Sequence, residues 1–151
     1  MARSTTTATS SLLFLLSSLL STTLGAEIKI SNVQGLIELS ENVNSGTNYS
    51  GTTVLLDSDL DFSGGYSEQF SVIGYNSNNY FNGVFDGQGH TISNLRVNSS
   101  SLEYIGLFGY SQGATIQNVV IDGSCSFMNS YSSSNYHCYT LSAQTAQSTL
   151  H

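Results

Sequence analysis

Gln88-Gly89-His90-Thr91-Ile92-Ser93-Asn94-Leu95-Arg96-Val97-Asn98 returns 24 residues on as Gln112-Gly113-Ala114-Thr115-Ile116-Gln117-Asn118-Val119-Val120-Ile121-Asp122. A Gly-x-Phe precedes each unit, Gly83-Val84-Phe85 and Gly106-Leu107-Phe108, at an offset of 23, so the turn between them gains one residue. The pattern Gln-Gly-x-Thr-Ile-x-Asn-aliphatic-x-aliphatic, met twice, is hard to obtain by chance. An internal period of this size marks a stacked architecture. The apolar residues come in short bursts between Gly and Asn turns, with no run long enough for a repeat helix. That combination predicts an all-β chain wound as a short parallel β-helix (a solenoid), its strands about 4.8 Å apart. Equivalent residues should then stack: Phe85 with Phe108, Ile92 with Ile116, Val97 with Ile121.

Working outward, Asn94 and Asn118 share a register, and the expectation is an inward ladder of amides bonded to the backbone of the next turn, since buried polar groups require partners. Gly83, Gly87, Gly89, Gly106, Gly109 and Gly113 mark corners that need positive φ or close backbone approach. Upstream, Thr53–Phe62 reads as an earlier strand with Leu56, Leu60 and Phe62 on one side and Asp57, Asp59 and Asp61 on the other. Phe70, Val72 and Ile73 predict a further short strand. Ser31-Asn32-Val33-Gln34 has capping-box form, with Ser31 as N-cap. Val33, Leu36, Ile37 and Val43 follow at near-helical spacing and Gly46 supplies a stop, so an amphipathic helix over 32–45 should cover the open end of the stack. Glu27–Ile30 is the strand that enters it. The pattern stops after Gly123, leaving 26–123 as the repeat domain and 124–151 as a low-complexity tail. The tail is expected to be disordered, or to mark a fragment of a longer array.

The first 25 residues read as a secretory leader. Arg3 precedes an apolar run from Leu12 to Leu20, too short to span a bilayer, and Thr23 and Gly25 suit cleavage after Gly25. The chain holds 3 Lys+Arg against 10 Asp+Glu, a net charge of −7. Loss of Arg3 leaves Lys29 and Arg96 alone as cations, which argues against nucleic acid and anionic lipid as partners. No second stretch approaches membrane length. A secreted or surface product follows, and Cys125 and Cys138 are then a candidate disulfide. Asn48 and Asn98 head glycosylation sequons.

Gly106-Leu107-Phe108-Gly109 with Gly113-Ala114-Thr115-Ile116-Gln117-Asn118 resembles the GLUG repeat of bacterial and protist surface proteins. Phe81–Leu95 is similar to the segment that leads into those repeats. The resemblance covers 27–123 and implies a right-handed parallel β-helix of the pectate-lyase-like kind. It also implies an adhesion or spacer role, with no catalytic residues.

For chemistry, two readings stand side by side. The preferred one is a non-enzymatic module that presents Tyr49, Tyr66, Tyr75, Tyr80, Tyr104 and Tyr110 near its turns to a glycan or protein ligand, with no cofactor. The alternative is a polysaccharide lyase or glycoside hydrolase, which needs two carboxylates about the scissile bond. Asp57, Asp59 and Asp61, with Asp86 and Asp122, supply carboxylates, and the first three a weak Ca²⁺ candidate, but outward Asp residues more often form a solvated, edge-protecting face. The Asp86-Gly87-Gln88-Gly89-His90 stretch offers an acid/base pair or, preferably, a turn. No C-x-x-C spacing points to zinc and no Gly-x-Ser-x-Gly elbow to a serine nucleophile.

Overall fold

Asn32 stands just outside the first helical turn with extended backbone, and its Oδ1 accepts the Gly35 N–H at 2.9 Å. This caps helix α1 (Val33–Asn44), satisfying one of the amides a helix start leaves unpaired. The cap is therefore Asn32 and not the expected Ser31, whose carbonyl instead accepts the Ser58 hydroxyl. At the other end, Gly46 at φ +105° donates to Val43 O, and Thr47 donates to Asn42 O. That pair of bonds is the Schellman closure, which needs a left-handed residue where Gly46 stands. Leu36, Ile37, Leu39, Ser40 and Val43 make the buried face. Ser40 Oγ donates to Ser71 O at 2.5 Å and Asn44 Nδ2 to Val72 O at 2.9 Å, tying the helix to the chain that follows.

The rest of the computed structural model, which describes residues 25–129 and 144–145, is β-rich with parallel sheets. Its strands are β1 (Ala26–Ile30), β2 (Thr52–Leu56), β3 (Leu60–Asp61), β4 (Val84–Asp86), β5 (Thr91–Ser93), β6 (Arg96–Ser99), β7 (Tyr110–Ser111), β8 (Thr115–Gln117), β9 (Val120–Ile121), β10 (Ser126–Asn129) and β11 (Gln144–Thr145). One sheet runs β1-β2-β4-β8, a second β3-β5-β9, and two pairs are β6-β10 and β7-β11. Every pairing between these strands is parallel. The expected Thr53–Phe62 strand is broken between β2 and β3, yet its sidedness holds: Leu56, Leu60 and Phe62 are buried while Asp57, Asp59 and Asp61 are exposed. Phe70, Val72 and Ile73 are buried, but only Ile73 pairs, in a single parallel bridge to Phe108.

The register departs from the expected columns. Phe85 lies between Val54 and Ile116, Ile92 between Leu60 and Ile121, and Val97 against Phe127. The two similar units are adjacent and run the same way, but shifted by one strand, so that Val120–Ile121 of the second pairs with Thr91–Ile92 of the first. The reason is local. Thr-Ile-x-Asn encodes a short strand closed by a left-handed corner, with Asn94 at φ +56° and Asn118 at +52°, and such a corner serves more than one sheet. Register is set instead by ladder hydrogen bonds and by which aliphatics meet in the core. The strand pattern also passes Gly123: β10 pairs with β6 and buries Phe127, so the tail begins later than the sequence implied.

A single hydrophobic cluster fills the interior, from Ile30 and the helix to Phe127. At its centre Phe108 has its ring 5.3 Å from Phe81 and 5.2 Å from Phe85. No described helix is long and apolar enough to cross a membrane. Residues 1–24, within the span read as a leader, Cys138 and most of 124–151 lie outside the described residues.

Candidate interaction surface

An aspartate at or just after the end of three strands closes the turn that follows. Asp61 Oδ1 accepts the Ser63 N–H, Asp86 Oδ1 that of Gln88, and Asp122 Oδ1 that of Ser124, all at 2.9 Å. These are Asx turns, in which the side chain mimics a backbone carbonyl. The neighbouring parallel strand adds a second bond. Asn94 Nδ2 donates to Asp61 Oδ1 at 2.8 Å, and Asn118 Nδ2 to Asp86 Oδ1 at 3.1 Å. Gln117 Nε2 reaches Asp86 Oδ2 at 2.8 Å. The two asparagines thus link neighbouring strands, but not as the expected inward ladder. Asn94 is half-buried, Asn118 is exposed, and their amides meet carboxylates on the outside. A left-handed residue at a strand end turns its side chain away from the core, and a carboxylate is the acceptor waiting there.

Asp59 accepts the Thr91 N–H at 2.8 Å and faces His90 Nδ1 at 3.1 Å. Of the two readings of Asp86–His90, the acid/base pair does not form and the preferred turn does. His90 N–H donates to Gly87 O at 2.7 Å, making 87–90 a turn. Gly87 is needed there, since a Cβ would stand 2.5 Å from Asn118 O. Of the other corner glycines, Gly89 and Gly113 have positive φ, Gly83 and Gly109 permit close backbone approach, and Gly106 is buried in a bend.

Hydrogen bonds to the charged form hold four carboxyls below their ordinary value. Asp59 is lowered first by the Thr91 amide, Asp61 by the Asn94 side chain, Asp86 by the Gln88 amide and Asp122 by Ser124. Tyr104 moves the other way, raised by the charge of Glu103. Folded carboxyls that titrate low bind fewer protons than unfolded ones. The stability they contribute is full above about pH 4 and is lost as the pH falls through their folded values. The loss of urea midpoint between pH 6 and pH 2.5 is therefore expected to be smaller in Asp86→Asn than in the parent chain. An equal loss would show that these bonds do not couple to folding.

Asp57, Asp59 and Asp61 do not converge: among the described residues no group of three His, Cys, Asp or Glu side chains could hold a metal ion. Asn48 is half-buried, its carbonyl accepting the Asn82 N–H at 2.7 Å, and Asn98 is exposed on β6. Cys125 is half-buried, its Sγ 3.3 Å from Ile92 O. Of the tyrosines, Tyr66 and Tyr75 are exposed, Tyr49 packs on Phe81, and Tyr104 meets Tyr110 edge-on at 5.9 Å. Tyr80 is half-buried.

Sequence reasoning missed a groove of about 570 Å³ between the one-turn helix Tyr66–Glu68 and β6. Glu68, Asn94, Arg96 and Asn98 line it above Phe62 and Phe70. Ser67 Oγ joins its two walls, donating to Asn94 O and accepting the Arg96 N–H, each at 3.1 Å. The signal available was Arg96, the one arginine after Arg3. The groove offers a cation, a carboxylate and amides at close quarters, a set suited to hydroxyl-rich or polar ligands. No protein-family model, curated protein or solved structure matches this chain.

Proposed function

We propose that the chain is a secreted or surface-displayed module with no catalytic role, a short right-handed parallel β-helix akin to GLUG-repeat proteins, that binds a glycan or protein ligand. The observation that carries the winding is the repeated step. Val54, Phe85 and Ile116 in one sheet and Leu60, Ile92 and Ile121 in another are parallel neighbours in chain order, and helix α1 then serves as the cover of one end. The binding role is supported by the Glu68–Arg96 groove and by exposed Tyr66 beside it. Carboxyls held low by turn and cross-strand amides are poor general acids, which need a raised pKa.

The second reading, a polysaccharide-active enzyme, draws on the Asp59–His90 contact. One screen separates the two. Glycan-array binding without product, weakened about tenfold or more by Arg96→Ala, is the expected result. Turnover of an acidic or neutral polysaccharide that disappears in Asp57→Asn, Asp59→Asn or Asp86→Asn would replace the binding role with the enzyme.

A further inference from the structure

Arg96 and Glu68 enter the groove from opposite walls, Arg96 on β6 and Glu68 at the end of the one-turn helix Tyr66–Glu68. Both are exposed, and among the described residues neither forms an ion pair. For Arg96 this runs against composition, since the chain holds ten acidic side chains against three basic ones. Asp61, the carboxylate that reaches the groove's Asn94, is held instead by that amide and by the Ser63 N–H. The fold thus leaves the guanidinium over while fixing the backbone beneath it. Ser67 Oγ accepts the Arg96 N–H at 3.1 Å, and Arg96 stands opposite Ser126 of β10. Val97 and Phe127 of the same two strands are buried, so alternation turns Arg96 and Asn98 outward together.

Resting on the reading that this groove binds a glycan, we propose that the ligand is a largely neutral glycan carrying one carboxylated sugar, with the carboxylate seated on Arg96. A guanidinium fork matches a planar carboxylate with two parallel N–H···O bonds, and such charge-assisted bonds are about twice as strong as neutral ones. From the facing wall Glu68 accepts sugar hydroxyls. Glu68 also sets the limit. A second carboxylate along the glycan would come up against it, and a chain of net charge −7 repels a polyanion at longer range. Arg96 is the one cation among the groove's lining residues, so it neutralises one anion and no more. Runs of acidic sugar are therefore rejected, and Glu68 is the specificity-determining residue.

A glycan array probed with the full chain tests this, its members sorted into neutral glycans, glycans with one carboxylated sugar, singly sulfated counterparts and oligouronates. Binding is expected to be strongest in the second group. Reducing the carboxyl of the best-bound member to an alcohol should weaken the parent chain by about tenfold or more. The same reduction should leave Arg96→Ala unchanged, because the pair is already broken there. Glu68→Gln should bind oligouronates severalfold more tightly than the parent does. Neutral or sulfated glycans bound as tightly as carboxylated ones, or oligouronates favoured by the parent chain, would overturn the proposal. If Arg96→Ala weakens that binding too, the groove keeps its glycan role with a different ligand. Binding that Arg96→Ala leaves intact, or none to any member, would remove the glycan role of the groove and the proposal with it.

Discussion

Phe108→Ala is expected to cost about 3–5 kcal/mol, the range for deleting a fully buried aromatic ring. Phe108 is 1% exposed and its ring lies between those of Phe81 and Phe85. Truncation removes both ring contacts and leaves a cavity where the chain around Ile73 meets the main sheet. Those neighbours are held by backbone pairing and cannot collapse inward to refill the space. Domain stabilities lie at about 5–15 kcal/mol, so such a loss takes a large share of the total. In urea the midpoint should fall by about 2 M with an unchanged slope. Val120→Ala, at a position 47% exposed, should move it little. A Phe108→Ala midpoint within about 0.3 M of the parent would mean that the aromatic cluster is not the centre of the core.

The second large effect belongs to a residue with no side chain. Gly74 sits at φ +75°, and a Cβ built there would stand 2.2 Å from Tyr110 O and 3.2 Å from Asn79 O. Its carbonyl accepts the Tyr110 N–H at 2.6 Å, and its N–H donates to Asn44 Oδ1 at 3.1 Å. Helix α1, the Ile73 segment and β7 thus meet at one backbone unit. Gly74→Ala must pay the left-handed penalty of about 1–2 kcal/mol and also push Tyr110 away. A total of about 3–5 kcal/mol is expected. Gly46→Ala is the control, since Gly46 has φ +105° but nothing within 4 Å of a Cβ. It should lose about 1 kcal/mol by conformation alone. Comparable urea midpoints for the two variants would show that the Gly74–Tyr110 contact has room to yield.

How far the sequence could be read depended on the range of the interaction involved. Helix α1 was legible because its apolar spacing and its Gly46 stop lie within a few turns of chain. Its N-cap slipped by one residue because Ser31 and Asn32 are both good caps, and only the path of the entering strand decides between them. The alternation of Leu56, Leu60 and Phe62 with Asp57, Asp59 and Asp61 was legible for the same reason, a period of two needing no partner. The groove at Glu68 and Arg96 was not legible, because its walls are separated by 27 residues that carry no common motif. The exchange of His90 from Asp86 to Asp59 was equally hidden, since the nearer carboxylate along the chain was already engaged by Gln88, Gln117 and Asn118.

By itself the sequence determined the β-rich character, helix α1, the parallel run of the two similar units and the corners at Asn94 and Asn118. All of these follow from backbone preference and side-chain periodicity over a few residues. Only the tertiary structure decided that the second unit sits one strand out of step with the first, and that the asparagines turn outward to carboxylates. Identity of motif selects a local shape, whereas pairing is chosen by the sum of ladder bonds and core contacts across some thirty residues of intervening chain, and that sum favoured Ile116 on Phe85.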